Sequence, residues 1–139
     1  MMQPRRILLV DDESYVTSLL ASKLERLGDE VHIANDGAEA FELALQIVPD
    51  LIVTDFQMPI MSGFELGCRL KLDPITAQIP LIMLTAREHL LSPSDLLKTN
   101  VRQLLSKPFS AKELITKIED IIGPARQCAK DGGFGAIAS

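Results

Sequence analysis

Short apolar runs alternate five times with stretches of helical periodicity along this 139-residue chain. The runs lie at residues 6–10, 30–34, 51–54, 81–84 and 101–105. Most of them lack the polar alternation of a half-exposed strand, which is typical of strands that helices cover on both faces. Five strand–helix units in sequence therefore predict an α/β fold, a doubly wound five-stranded parallel sheet with helices on both faces. Right-handed crossovers favour the strand order 2-1-3-4-5, with its switch point between strands 1 and 3.

The helices between these runs have recognisable starts. Four of them are predicted to begin after the capping residues Asp36, Ser62, Ser92 and Ser110. The first helix should run from Glu13 to Leu27 with Leu19 on its apolar face, and the second should bury Val48. The fourth helix should be short and end near Thr99-Asn100.

Domain organisation follows from length and from a change in composition. The hydrophobic fraction of 47% is enough for one core, so disorder of the whole chain is excluded. After Gly123-Pro124 the sequence becomes rich in Gly and Ala and loses its periodicity. We predict one domain at residues 1–123, followed at 124–139 by a flexible tail or the start of a linker.

Charge and cysteine content exclude several classes of protein. A net charge of −5 argues against direct binding of nucleic acid, because phosphate contacts require Lys and Arg. The two cysteines, Cys68 and Cys128, cannot form a disulfide framework, so a reduced, cytoplasmic location is expected. No apolar run is long enough to cross a membrane, and the amino terminus lacks a signal-peptide pattern.

Ionisable and hydroxyl side chains follow four of the apolar runs directly. They lie in the pairs Asp11-Asp12, Thr85-Ala86 and Lys107-Pro108 and at the single residue Asp55. Because the carboxyl ends of parallel strands meet at one edge of a sheet, these groups should line one crevice at the switch point. Three carboxylates, a hydroxyl and an ammonium are the groups expected around a divalent cation and a phosphoryl group.

The residue types predict specific roles within that crevice. Asp11, Asp12 and Asp55 would repel one another unless a hard cation such as Mg²⁺ binds between them. Asp55 is the best placed nucleophile for phosphorus, with Lys107 neutralising the phosphoryl oxygens. Thr85 could donate from its hydroxyl and Ala86 from its backbone amide. Taken singly, an Asp could instead cap a helix and Lys107 could be a solvated lysine.

Four motifs together resemble the receiver domain of two-component response regulators, a flavodoxin-like fold. The motifs are Leu8–Glu13, Val53–Gly63, Leu84–Ala86 and Lys107–Phe109, within a match that covers about residues 5–123. The resemblance implies that Asp55 accepts a phosphoryl group from a phosphohistidine on a sensor histidine kinase or a histidine phosphotransfer protein. It also implies that the domain is a phosphorylation switch and not an enzyme that turns over an external substrate.

The resemblance further implies the ligands and the surfaces of this switch. Mg²⁺ would be bound by Asp12, Asp55 and the backbone carbonyl of Gln57, with Asp11 acting mainly through water. A cis peptide is expected before Pro108. The fourth helix, fifth strand and fifth helix would bind a downstream effector or form a homodimer.

Some positions depart from the family pattern or stay open. Leu104 replaces an aromatic residue that usually relays phosphorylation to this surface, so a receiver-like adaptor that works without phosphate remains an alternative. An Asp-nucleophile phosphohydrolase is a weaker alternative, because it would need a second Asp where Gln57 stands. A flavin or dinucleotide carrier would need a glycine-rich loop after strand 1, which this chain lacks. Arg87 could contact the phosphoryl group or be a solvated loop residue, and His32 and His89 receive no role.

Overall fold

A computed structural model describes residues 3–86 and 91–125 of the chain. The elements, in chain order, are β1 (Arg6–Val10), α1 (Ser14–Arg26), β2 (Glu30–Ala34), α2 (Gly37–Ile47), β3 (Leu51–Asp55), α3 (Gly63–Leu72), β4 (Leu81–Thr85), α4 (Pro93–Leu96), β5 (Val101–Ser106) and α5 (Ala111–Ile122). All strands of these residues pair in parallel in one sheet with the order β2-β1-β3-β4-β5. The predicted fold class, strand order and switch point between β1 and β3 are therefore confirmed.

Two hydrophobic clusters cover the two faces of the sheet. On one face, α1 and α5 pack against the strands through Leu20, Leu24, Leu114 and Ile118. On the other face, α2 and α3 pack through Ala40, Ala44, Leu66 and Leu70. The strands β3 and β4 are buried along their whole length, which explains why their sequences contain no polar alternation.

Strand β2 forms one edge of the sheet and carries the polar residues Glu30 and His32. Glu30 on this strand contacts two basic side chains, with its Oε2 2.8 Å from Arg6 Nε and 2.7 Å from His32 Nε2. His32, to which the sequence assigned no role, therefore has an acidic partner on its own strand, since residues two apart on a strand share one face. Charged side chains of this kind protect an edge strand from pairing with another chain.

The predicted caps are present at four helices. Asp36 accepts a hydrogen bond from the Glu39 amide at 2.8 Å, and Ser62, Ser92 and Ser110 each form a reciprocal capping box. The helix α4 is shorter than predicted and contains no buried residue. Its end at Leu96 leaves Thr99 and Asn100 in the connection to β5.

Two side chains predicted to face the core are exposed instead. Leu19 is 50% exposed because the buried stripe of α1 runs through Thr17, Leu20, Ala21 and Leu24, to one side of position 19. Val48 is 48% exposed because α2 ends at Ile47 and Val48 caps it with a left-handed backbone, φ 44°. A left-handed residue turns the chain away from the helix axis, so a side chain there leaves the helical stripe.

Several predictions fall outside the described residues. They concern Arg87, His89 and most of the segment 124–139. Within the described ranges, none of the helices has the length and apolar character needed to cross a membrane.

Candidate functional site

The predicted site residues lie at one edge of the sheet, where four strands end. In the strand register Val10 is the partner of Thr54, and Thr85 is the partner of Ser106. Asp11 and Asp55 therefore follow adjacent positions on β1 and β3, at the switch point of the fold. The Phe56 amide donates to the Leu84 carbonyl at 2.8 Å, which extends the same pairing into the loop after β3.

Three carboxylates form a cluster at this edge. One carboxylate oxygen from each of Asp11, Asp12 and Asp55 lies within 4.8 Å of the other two. Asp11 is only 3% exposed and Asp55 only 6%, whereas Asp12 is exposed to solvent. Clustered carboxylate oxygens, open to water on one side, fit the preference of Mg²⁺ for oxygen ligands and retained waters.

Burial and mutual repulsion change the protonation of two of these carboxyls. Burial, together with the negative charge of Asp55, raises the pKa of Asp11 to about 6, although the Glu13 amide donates to Asp11 Oδ1 at 2.9 Å. Burial also raises the pKa of Asp55, with Asp12 and Glu13 adding to the effect and Lys107 opposing it. A bound cation would reverse this effect by stabilising the ionised forms.

Lys107 forms an ion pair with Asp55. Its ammonium contacts Asp55 Oδ1, and its side chain is 35% exposed. Burial alone would lower the pKa of Lys107, but the hydrogen bond and charge of Asp55 outweigh burial and raise it. The Lys107–Pro108 peptide is cis, as predicted, and the Lys107 amide donates to the Thr85 carbonyl at 3.0 Å.

A small cleft of about 40 Å³ opens beside the ion pair. It is lined by Asp55, Phe56, Gln57, Leu84, Thr85, Ala86 and Lys107. The structure thus brings Asp55, Gln57, Thr85, Ala86 and Lys107 to one cleft, and Asp55 also belongs to the carboxylate cluster. Their chemical roles remain predictions.

Two further residues shape the site, and sequence reasoning gave them no role. The Glu13 amide holds Asp11, and Gly63 lies against the backbone of Asp55. A Cβ at Gly63 would collide with the Asp55 carbonyl oxygen and lie 3.1 Å from Phe56 Cα. Helix α3 can therefore start directly beside the end of β3 only because residue 63 is glycine. The capping box at Ser62 predicted where this helix starts, but not how closely it approaches β3.

Comparison with known proteins is consistent with this geometry. A family model described as the response regulator receiver domain matches residues 7–119. The chain is 36% identical over 118 residues to the phosphate regulon transcriptional regulatory protein PhoB of Pseudomonas aeruginosa, covering 85% of this chain and 52% of that protein. It is 34% identical over 117 residues to the DNA-binding dual master transcriptional regulator RpaA of Synechocystis, covering 84% of this chain and 48% of that protein. The chain thus spans about half the length of these curated relatives.

Solved structures show the same fold. The receiver domain of the sensor histidine kinase PA1611 from Pseudomonas aeruginosa, with magnesium coordinated in its active site cleft, superposes with a TM-score of 0.77 at 26% identity. That match covers 86% of this chain and 98% of the solved one. The chemotaxis protein CheY4 of Vibrio cholerae gives a TM-score of 0.77 at 28% identity and covers 86% and 99%.

Proposed function

The chain belongs to the response regulator receiver domain family, and from this premise we propose that Asp55 accepts a phosphoryl group in a Mg²⁺-dependent reaction. The donor is a phosphohistidine on a sensor histidine kinase or a histidine phosphotransfer protein. The observation that supports this most directly is the position of Asp55, which contacts Lys107 on one side and belongs to the carboxylate cluster on the other. Phosphorylation then changes the affinity of the domain for its partners.

The carboxylate cluster is the proposed cation site. Asp12, Asp55 and the backbone carbonyl of Gln57 would ligate Mg²⁺ directly, and the buried Asp11 would act through a bound water. Bound Mg²⁺ supplies positive charge that allows a phosphorylated donor to approach three carboxylates. The donor set consists of oxygens alone, and it includes one exposed carboxylate through which water can complete the coordination.

In the proposed transfer, an Asp55 carboxylate oxygen attacks phosphorus. A P–O bond forms while the P–N bond to the donor imidazole breaks, and the imidazole leaves with the electron pair of that bond. Lys107 moves from the Asp55 carboxylate to a phosphoryl oxygen, where its ammonium neutralises the negative charge of the transferred group. The Thr85 hydroxyl and the Ala86 amide, which line the same cleft, donate to the remaining oxygens.

An apolar groove beside Lys107 is the proposed docking surface for the donor protein. This docking groove has a volume of about 510 Å³ and is lined mainly by Tyr15, Val16, Leu19, Leu20, Pro108 and Phe109. Tyr15 is 78% exposed and Leu19 50%, so together with the other apolar lining residues they present a contiguous apolar surface. Because Lys107 and Glu13 also line it, the groove continues into the acceptor site and suits a helix that carries a phosphohistidine.

The proposed output surface consists of α4, β5 and α5. A downstream effector or a second copy of the chain would bind there after phosphorylation. The curated relatives are named as transcriptional regulators, and one of them as DNA-binding. For this chain, with a net charge of −5, we propose that any effect on DNA passes through a partner or through chain beyond the domain. The segment 124–139 is the proposed tail or linker.

Mass spectrometry of the intact chain tests the proposal. Incubation with acetyl phosphate and Mg²⁺ should add one phosphate to the wild type and none to the Asp55→Asn variant. Asp120→Asn, on the exposed side of α5, is the matched control and should be phosphorylated like the wild type. Absence of an adduct on the folded wild type would contradict the proposal and favour an adaptor that works without phosphate.

The same samples address the phosphohydrolase alternative. A hydrolase with an Asp nucleophile would need a general acid two residues later, and Gln57 cannot serve as one. We therefore expect no steady release of alcohol from a small phosphate ester such as p-nitrophenyl phosphate. Continuous turnover that is lost in Asp55→Asn would favour the hydrolase.

A further inference from the structure

A buried arginine connects the beginning of the sheet to the point where the chain leaves the last helix. The Arg5 side chain is completely buried and donates to both Asp29 carboxylate oxygens, from Nε to Oδ1 and from Nη2 to Oδ2, each at 2.7 Å. Its remaining nitrogen, Nη1, donates to the Gly123 carbonyl at 2.8 Å. These three residues, called here the exit anchor, lie at the amino-terminal ends of the strands, opposite Asp55.

Overall stability alone does not explain why an arginine and an aspartate are buried together at this position. Removing two charges from water costs several kcal/mol per ion, and apolar residues of similar volume often serve as well or better. What an apolar pair could not provide is a hydrogen bond to a chosen carbonyl. The planar guanidinium offers donors in fixed directions, two of which are used by Asp29 while a third reaches a residue 118 positions away.

The carbonyl that Arg5 contacts belongs to the end of α5, where side chains are less buried than Leu114 and Ile118 earlier in the helix. Gly123 caps α5 with φ 90°, and a Cβ placed there would meet no atom within 4 Å. The neighbouring Ile121 and Ile122 are only partly buried. The last carbonyls of a helix have no partner within the helix, so the final turn frays unless an outside group binds it.

We propose that the exit anchor fixes the last turn of α5, and with it the direction in which the chain continues after Gly123, relative to β1 and β2. Arg5 thus acts as a positioning residue for whatever follows the domain. Its backbone strengthens the attachment, because the Arg5 carbonyl accepts from the Glu30 amide at 2.8 Å, next to Asp29. The anchor shares no residue with the acceptor site, so it does not depend on the proposed phosphorylation.

Amide hydrogen exchange of the full chain tests this proposal. In the double variant Arg5→Met with Asp29→Leu, both charges and the bond to Gly123 are lost while the volume is largely kept. We expect the amides of the last turn of α5 and of Gly123, which donates to Glu119 at 2.9 Å, to exchange at least tenfold faster. The amides of β3 should change much less, since they open only with the whole domain.

The neighbouring arginine provides a matched control. Arg6 also contacts a carboxylate, Glu30, and also donates to a helix-end carbonyl, that of Ile47 at 2.7 Å. This arginine contacts the end of α2 and not the end of α5. The variant Arg6→Met with Glu30→Leu should therefore leave exchange at the end of α5 unchanged.

The ratio of exchange rates at the end of α5 and in β3 decides the outcome. If both regions accelerate by the same factor, the pair serves stability alone and the proposal is overturned. Wild-type exchange at the end of α5 would overturn it as well. Should the double variant not fold, Arg5→Lys, which keeps the charge near Asp29 but lacks the fork of donors, should raise the same ratio at least threefold, and an unchanged ratio would overturn the proposal.

Discussion

At the scale of single residues, the protonation of Asp11 has a measurable consequence for stability. The unfolded chain loses the Asp11 proton near pH 4, whereas the metal-free folded domain keeps it until about pH 6. Between these values the folded state binds more protons than the unfolded state. The free energy of unfolding therefore falls as pH rises through this window, and the contribution of the raised pKa is fully lost above it.

The variant Asp11→Asn removes this dependence. Without divalent cations it should be more stable than the wild type by on the order of 1–2 kcal/mol at pH 7, and the difference should vanish near pH 4. Urea unfolding in a chelator at pH 4, 5, 6 and 7 measures the difference. Excess Mg²⁺ should reduce or reverse the gain, since the wild type binds the cation more tightly. Parallel pH profiles for the two proteins would contradict this prediction.

The residues of the site show what sequence can and cannot predict at this scale. The residue types at the strand ends were sufficient to predict that Asp11, Asp12, Asp55 and Lys107 would meet. Sequence could not show that Lys107 contacts Asp55 in particular, because a lysine side chain can reach several carboxylates from one backbone position. The contact of Gly63 with Asp55 was equally hidden, since it depends on how closely a helix approaches a strand.

At the scale of elements, the strand ends differ from the prediction in a consistent way. The runs predicted to end at residues 54, 84 and 105 each continue for one residue, to Asp55, Thr85 and Ser106. Because these residues are polar, a prediction based on hydrophobicity assigns them to loops. The backbone ladder nevertheless continues through them, as the bonds from Phe56 to Leu84 and from Lys107 to Thr85 show. Asp55 and Thr85 are thus held by the sheet itself, whereas Asp11, Asp12, Ala86 and Lys107 lie within two residues of a strand end.

The end of α2 contains a residue that suits its conformation poorly. Val48 caps this helix with φ 44°, where a β-branched side chain is strained and glycine is not. The variant Val48→Gly should therefore stabilise the domain by roughly 0.5–1 kcal/mol, despite the larger entropy of glycine in the unfolded chain. Urea unfolding measures the change.

The control for this prediction is another exposed aliphatic residue. Ile75→Gly lies in a turn without a positive φ, so it should destabilise the domain. If both glycine variants are destabilised to the same extent, the strain assigned to Val48 is absent.

Leu104 on strand β5 stands where receiver domains usually have an aromatic residue. Leu104 is partly buried and packs on the α2 and α3 side of the sheet, next to Val101. Because leucine is smaller than the usual aromatic residue and has no hydroxyl, we expect phosphorylation to move α4, β5 and α5 less than in receivers that have the ring. Amide spectra recorded with and without a beryllium fluoride mimic of the phosphoryl group measure this movement.

A substitution makes the expectation specific to position 104. Leu104→Tyr should enlarge the amide shifts along β5 at least twofold, whereas Arg102→Tyr, which places the same ring at an exposed position of the strand, should not. Large shifts across β5 in the wild type would contradict the expectation directly.

At the scale of the whole molecule, the proposed phosphorylation chemistry and the recognition of the donor occupy different parts of the surface. The variant Leu19→Ala changes the docking groove and leaves every residue of the acceptor site in place. Transfer from a phosphorylated histidine phosphotransfer domain should slow at least tenfold, because Leu19 is exposed and would be buried by the donor. Transfer from acetyl phosphate should change less than twofold.

Radiolabel transfer from both donors, measured side by side, checks this separation. Leu72→Ala is a suitable control, since Leu72 is 83% exposed but lies at the end of α3, away from the groove. Equal slowing with both donors would mean that Leu19 supports the acceptor site, and no slowing would remove the groove as a docking surface.

The overall architecture was accessible from sequence because alternation of strand and helix periods leaves few parallel-sheet topologies. The sequence did not predict contacts between residues distant along the chain, such as that of Arg5 with Gly123. A single arginine before the first strand resembles any surface charge until its burial is known. The exposed face of α1 was also missed, since Leu19 satisfies a helical period without belonging to the buried stripe.

The narrow cleft beside Asp55 has a consequence for how such chains diversify. Its volume of about 40 Å³ is room for only a few water molecules. In the proposed reaction a phosphoryl group would enter a space of this size, while the body of a donor protein would stay outside. If the proposed phosphorylation holds, selectivity among donors is decided by exposed side chains that can mutate without harming the reaction. Duplicated copies of this gene could in this way acquire separate input signals and become insulated from one another.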